Sequence, residues 1–536
     1  MRRRKILGII ICGAFLFVSC GNKNIEEQIK EIETTTIEKR MQKTNGFESK
    51  EFNLGKEVYK SKGNKEMPYE IRGTISMPKI EGKSPLVFMI HGSHDNENTG
   101  VRFDTGFKYI ADYLAENGYI AITLDVQNAY VWKYGDNDDN EKVTAIVDMH
   151  LKKLKEANDG KNNKYEIDLK DKIDFENIGL IGHSRGGETI FNIADNFKKE
   201  GQEIKSLIAV APTAIVLDKS YLNTDVNTGI VVPEYDGDVI DLSGIEIFDI
   251  LTSKERKNLV QLTYLEKANH NYFNSKLTRN DAELLGEISK NQLSKETQQN
   301  FLKSYIVDFL DATIREVKEN TIYDTEKVSV TKMYGCDVKT LYTDERTEEL
   351  LNIKDLDKIK GEKVEVLNTQ DAIFFKDDKS RLNSVVGGTK GVEIRELLTI
   401  KWEELNGKVS FTPNIENFKE YKSISFNIVQ DPSDELNKKK ENKIFKVQIK
   451  DKAGRKASVE LNNEVSALKY IDGKLEDLTL EGYGEYKNWS KITPITELRI
   501  PLKDFDGINL EKIEEISLIF DREEQGSIDI SKIQLK

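Results

Sequence analysis

A chain of 536 residues is longer than one hydrophobic core usually supports, and it implies about two or three domains. Charged residues make up 32% of it and the net charge is −13, which argues against nucleic acid as a partner because a phosphate backbone demands a basic face. The cysteines number three, Cys12, Cys20 and Cys336, and two lie in the first twenty residues, so no disulfide framework is expected in the mature chain.

The N-terminus reads as a targeting segment. Arg2-Arg3-Arg4-Lys5 is a basic region, and Ile6 to Val18 is an apolar run too short to span a bilayer as a stable helix. It ends in Phe17-Val18-Ser19-Cys20-Gly21, which resembles a bacterial lipobox with Phe17 in place of the usual leucine. The expectation is a lipoprotein signal over residues 1–20, lipidation of Cys20, and a secreted protein anchored at a bacterial membrane or cell surface. An ordinary secretory signal is the alternative. Residues 21–48 are charged and lack apolar periodicity, as a tether would be.

Between residues 49 and 321 strand and helix signals alternate. Glu57–Lys60 and Tyr69–Met77 alternate in polarity like an antiparallel pair. Leu86–Ile90 is continuously apolar, as a strand buried on both faces is. Helical spacing at 107–114 and 142–154 brackets a strand at 119–126, and further strands fall at 207–210, 229–232 and, last, 259–265. Helix patterns occupy much of 280–318. The expected class is α/β, a mostly parallel sheet with helices on both faces.

The chemistry centres on Ile178-Gly-Leu-Ile-Gly-His-Ser-Arg-Gly-Gly187. This is G-x-S-x-G where a buried strand turns sharply into a helix, the setting that lifts Ser184 to the carboxyl end of a sheet. Gly182 and Gly186 are small because a Cβ at either position would clash with the turn. A serine hydroxyl needs a base, and of five histidines (His91, His94, His150, His183 and His270) only His270 lies downstream of Ser184, as the order serine, acid, histidine requires. The acid falls between them in Pro233-Glu-Tyr-Asp-Gly-Asp238. Asp236 leaves the strand end first and is preferred; Asp238 competes. Oxyanion donors are expected at the backbone N–H of Arg185 and of Ser93, which follows the Leu86–Ile90 strand in His91-Gly92-Ser93-His94. His91 is then structural, His94 is a candidate cleft-liner, and His183 packs beneath the loop.

These four segments, H-G-S, G-H-S-R-G-G, Y-D-G-D-V and A-N-H-N-Y-F-N, together resemble the α/β-hydrolase superfamily. Within it they look like secreted bacterial esterases similar to platelet-activating-factor acetylhydrolase, chlorophyllase and cutinase-like proteins. The resemblance covers about residues 50–320 and implies hydrolysis of a small-molecule, lipid or polymer carboxylic ester through an acyl-enzyme, with no metal and no cofactor. Pro233 stands where the family usually has glycine three residues before the acid, which leaves Asp236 and Asp238 both open.

Asp136-Asn-Asp-Asp-Asn-Glu141 lacks the glycine and distal glutamate of a calcium loop and reads as a solvated acidic loop. Residues 322–375 mix short signals and are expected to form a connecting subdomain. From 376 to 536 short alternating runs at 392–402, 423–429, 444–449, 498–501, 516–520 and 528–535 predict a two-sheet sandwich, and the ending resembles galactose-binding-like jelly rolls. Tyr483, Tyr486 and Trp489 crowd one stretch as a candidate glycan platform. The favoured reading is a lipid-anchored serine esterase with an accessory β-domain. Against it stand a non-catalytic surface-binding lipoprotein, and a peptidase or acyltransferase on the same fold.

Overall fold

The computed structural model describes residues 44–61, 65–135, 138–161, 164–215, 217–283, 291–317, 331–371, 395–461, 465–480, 484–489 and 493–536. The expectations for residues 1–20, for Cys20 and for most of the tether lie outside these residues, as does Tyr483.

A ten-stranded mixed sheet organises the first part. In chain order its strands are β1 (Phe47–Lys60), β2 (Glu66–Pro78), β3 (Ser84–Ile90), β4 (Ile120–Leu124), β5 (Ile173–His183), β6 (Ser206–Val210), β7 (Asn227–Tyr235), β8 (Val260–Asn269), β9 (Lys332–Met333) and β10 (Cys336–Thr343). They lie in the order β1-β2-β4-β3-β5-β6-β7-β8-β10-β9. From β4 to β8 all neighbours run parallel, while β1, β2, β10 and β9 add antiparallel edges.

The period of two in the strands divides the core. Leu86, Phe88 and Ile90 join one apolar cluster, and Val87 and Met89 join the other. Three helices, α2 (Asp139–Asn158), α3 (Arg185–Lys199) and α4 (Gly244–Thr252), cover the first face through residues such as Ile146, Ile193 and Ile247. Two more, α1 (Lys108–Glu116) and α5 (Lys295–Thr313), cover the second through Leu114, Phe301 and Phe309. Helix α5 starts where Ser294 accepts a hydrogen bond from the Thr297 N–H, which satisfies one of the free donors of the first turn. Leu86, Phe88, Ile90, Leu180 and Ile208 have essentially no exposure, so the parallel strands read as continuous apolar runs because both faces are roofed.

Within the stretch expected as a connecting subdomain, β10 pairs antiparallel with β8 from Val338↔Leu265 to Thr343↔Val260. Met333, Cys336, Val338 and Tyr342 are buried in the same cluster as α5. The strand predicted to be last, β8, therefore has its outer edge paired. Local sequence showed only mixed short strand and helix signals here, and only tertiary pairing reveals which sheet a strand joins.

Two antiparallel sheets follow. One aligns 365–371, 395–402, 526–535, 423–429 and 496–501, with 348–351 also pairing 526–535; the other aligns 359–362, 407–411, 513–520, 446–451 and 456–460. Their inward residues, among them Ile400, Phe426 and Ile530 from one sheet and Phe411, Val447 and Leu518 from the other, share one core. Trp402 stacks on Phe520 across it, with centroids 4.1 Å apart. Leu397, Val429 and Ile495 reach instead into the core of the first part. Near them Lys536 and Glu497 form an ion pair in which both side chains are 1% exposed, and the Lys536 ammonium lies 3.6 Å from the ring centre of Tyr342 in β10. Among the described residues no helix is long and apolar enough to cross a membrane.

Candidate active site

The site is built where β3, β5, β7 and β8 end. Strand β5 stops at His183, and Ser184 turns the chain into α3 with φ 57° and ψ −125°. A non-glycine residue there carries strain of roughly 1–3 kcal/mol, held by its surroundings. The turn is pinned by the Ser184 N–H donating to the Val210 carbonyl, 2.9 Å, and by the Gly187 N–H donating to the Ser184 carbonyl, 2.9 Å. A Cβ on Gly182 would lie 2.1 Å from the Gly186 carbonyl oxygen, and a Cβ on Gly92 would lie 2.5 Å from the Ser184 Cβ. The loop after β3 is thus pressed directly against the serine. The Ser184 side chain does not cap α3, which leaves its hydroxyl for other use.

His270 follows β8 and is fully buried. Its Nδ1 lies 3.0 Å from Asp236 Oδ2 at the end of β7, and Asp236 is itself only 3% exposed. The second Asp236 oxygen accepts from the Asp238 and Val239 N–H groups at 3.1 and 2.6 Å, fixing the carboxylate's orientation. His270 Nε2 is buried without a hydrogen-bond partner among the described residues. Asp238 Oδ2 lies 3.3 Å from it, yet that contact lacks hydrogen-bond geometry and the Asp238 side chain is 55% exposed. Of the two acids left open by the sequence, Asp236 is the one that hydrogen-bonds the imidazole.

Burial pulls the His270 pKa down, but the charge and hydrogen bond of Asp236, with the charges of Asp238 and Asp281, outweigh it and lift it to about 9. Burial pushes the Asp236 carboxyl up, against the pull of His270 and the Val239 N–H. The ring of His183 lies 4.6 Å from that of His270, and its Nε2 is 3.1 Å from the His270 carbonyl, so the residue beside the serine supports the backbone of the histidine. His94 packs its ring 5.1 Å from Phe103 and 5.3 Å from His183. Burial, and then the neighbouring histidines, hold the pKa of both His94 and His183 well below the usual value, so both are neutral. His91 accepts from the Val126 N–H, 3.1 Å, and braces the loop after β3.

A cavity of about 400 Å³ opens above the elbow, lined by residues that include Ser93, Ser184, Arg185, Asp238 and Ile240. Ser93 and Arg185, the residues expected to supply the oxyanion donors, are therefore both in its wall. Arg185 is the first residue of α3, so its N–H has no partner within the helix. Trp132, Ile215 and Ile240 also line this cavity, and they are 59%, 56% and 38% exposed. Three loops thus bring their exposed apolar side chains to one mouth.

Two features escaped the sequence reading. Asp139, in the supposedly solvated acidic stretch, begins α2 and pairs with Arg185 at 2.8 Å in the cavity wall. Burial, opposed by Arg185 and Lys142, raises its pKa to about 6. Asp281 accepts three backbone N–H bonds beneath the histidine. No local pattern marks either residue, because the fold alone brings each to its partners. Among the described residues no group of three or more His, Cys, Asp or Glu side chains is placed to hold a metal ion.

A family model described as chlorophyllase matches residues 44–233, from just before β1 to within three residues of Asp236. No curated protein matches the chain. The matched segment carries the elbow and the loop after β3, but neither Asp236 nor His270. Residues 44–233 are thus similar to the chlorophyllase family, and this match supports placing the chain in the α/β-hydrolase superfamily, among hydrolases that act on esters.

Proposed function

We propose that the protein is a serine hydrolase that cleaves carboxylic esters through an acyl-enzyme, with Ser184 as nucleophile, His270 as base and Asp236 as orienting acid. The observation that carries this reading is the buried Asp236–His270 pair, 3.0 Å apart, packed against the residue that precedes a serine at φ 57°. In this scheme Nε2 of His270 takes the Ser184 proton as Oγ attacks the ester carbonyl, and Asp236 stabilises the imidazolium. The backbone N–H groups of Ser93 and Arg185 receive the oxyanion. His270 then gives its proton to the leaving alcohol, and water resolves the acyl-serine by the reverse sequence. Replacing Ser184 by alanine should abolish hydrolysis of a p-nitrophenyl ester, and a fluorophosphonate should label Ser184 in the parent. Full turnover in the alanine variant would refute the assignment.

We further propose that Cys20 carries a lipid anchor and that the β-rich part is a jelly-roll accessory domain. The lipobox-like end of the leader supports the first; the two antiparallel sheets around one core support the second. Radiolabelled palmitate should enter the parent but not Cys20→Ser. The glycan platform involves Tyr483, outside the described residues, and Tyr486 and Trp489, whose backbone alone is described. Its test is retention of the full chain on immobilised polysaccharide.

A further inference from the structure

The acid and the base of the site sit on separate loops, which leave β7 and β8 directly after the paired residues Tyr235 and Asn269. A third carboxylate joins them. Asp281 Oδ2 accepts from the Gly237 N–H, 2.8 Å, and from the His270 N–H, 3.0 Å, while Oδ1 accepts from the Asn271 N–H, 3.0 Å. Gly237 directly follows Asp236, and His270 is the base itself. Asp281 is 3% exposed. Its backbone fits just as closely: a Cβ on Gly237 would lie 2.1 Å from the Asp281 carbonyl oxygen. The flanking residue joins in, since Asn280 Oδ1 accepts from Asn269 Nδ2 at 2.9 Å and from the Ala282 N–H at 3.2 Å.

A buried carboxylate that takes three backbone donors is held still. It fixes the His270 backbone nitrogen from one side, while His183 holds the His270 carbonyl from the other. Its charge also bears on the imidazole, in the same direction as those of Asp236 and Asp238. The remaining titratable groups against His270 are His94 and His183, both neutral by burial and mutual repulsion.

We propose that Asp281 is a positioning residue that clamps the acid loop to the base loop and favours the imidazolium as it forms. It carries no proton in the reaction and touches no substrate. This rests on the serine-hydrolase reading above.

The test uses the full chain. Asp281→Asn keeps the shape but loses the charge and one acceptor. Its kcat on a short soluble ester should fall about tenfold with KM unchanged, and the ascending limb of its pH–rate profile, set by His270, should move to lower pH. Asp281→Ala should lose on the order of 100-fold, because the two loops lose register. Asn280→Ala removes the neighbouring contacts but not the charge, and it should lower thermal stability without moving the limb. An unmoved limb in Asp281→Asn, or an equal movement in Asn280→Ala, would overturn the assignment. Hydrogen exchange on the parent requires no variant to fold: the Gly237, His270 and Asn271 amides should be protected although they lie in loops, and rapid exchange there would overturn the clamp. A parent that neither turns over esters nor labels at Ser184, yet shows these amides protected, would refute the hydrolase reading and leave the clamp standing.

Discussion

Exchanging each candidate acid for asparagine separates Asp236 from Asp238 by magnitude. Asp236 is 3% exposed and bonds His270 Nδ1 at 3.0 Å, so its loss leaves the buried imidazole without tautomer control. In sites of this type that change lowers kcat by about 10⁴-fold, equivalent to roughly 5 kcal/mol of transition-state stabilisation. Asp238 approaches Nε2 at 3.3 Å but its side chain is 55% exposed. Screened by water, such a contact is worth about 1 kcal/mol, so Asp238→Asn should cost less than tenfold. The pH profile adds a second signature. The base must be neutral to accept the serine proton, so the rate should rise as pH climbs through the His270 pKa, near 9 rather than the ordinary 6.5. Without Asp236 the largest upward influence is gone and burial prevails, so the limb should shift to lower pH while the plateau collapses. Asp238→Asn should shift the limb slightly in the same direction with its plateau kept. Steady-state hydrolysis of p-nitrophenyl acetate from pH 5 to 10 reads both quantities. A crippled Asp238→Asn beside a mild Asp236→Asn would refute the reasoning.

Gly92→Ala should cut kcat by 10-fold or more, on the order expected for a displaced nucleophile, because its Cβ would meet the Ser184 Cβ at 2.5 Å; the same kcat as the parent would show that the loop yields. His150 in α2 is fully buried, neither ring nitrogen has a hydrogen-bond partner among the described residues, and burial depresses its pKa to about 3. Protonation is therefore taken up by the unfolded chain first, and stability should fall as pH drops from 6.5 towards 3, by up to roughly 5 kcal/mol. His150→Leu should flatten that part of the denaturation curve, and an unchanged slope would speak against it. A fragment ending at residue 321 lacks Met333, Cys336, Val338 and Tyr342, all buried against the first part of the chain. At about 1.5–3 kcal/mol per buried apolar side chain, that loss rivals the whole stability of a domain. The fragment should show no cooperative melt by circular dichroism; a sharp transition with full esterase activity would establish an independent unit after all. Lys536→Ala would leave Glu497 buried with a weaker counter-charge and should destabilise by about 3 kcal/mol in urea titration; no change would mean water replaces the ammonium.

By itself the sequence determined what local physics encodes. Continuous apolar runs marked strands roofed on both faces, as at Leu86–Ile90, and the alternating runs after residue 395 fall on observed strands with shifts of a few residues. The glycine-flanked Ser184 announced its own turn, because only a narrow set of residues tolerates that backbone. Chain order brought His270 forward as the one downstream histidine, but it could not choose between Asp236 and Asp238, two residues apart on one loop. Which carboxyl hydrogen-bonds the imidazole belongs to tertiary structure: Asp236 turns inward to Nδ1, while the half-exposed Asp238 approaches Nε2 without a hydrogen bond, a difference of orientation that spacing does not carry. The same holds for β10, which lies in a stretch of mixed short signals and finds its partner only at the open edge of β8. It holds too for Asp139 and Asp281, plain acidic residues in sequence. Hydrogen bonds and ion pairs join groups by direction and distance across the fold, and a linear pattern records neither.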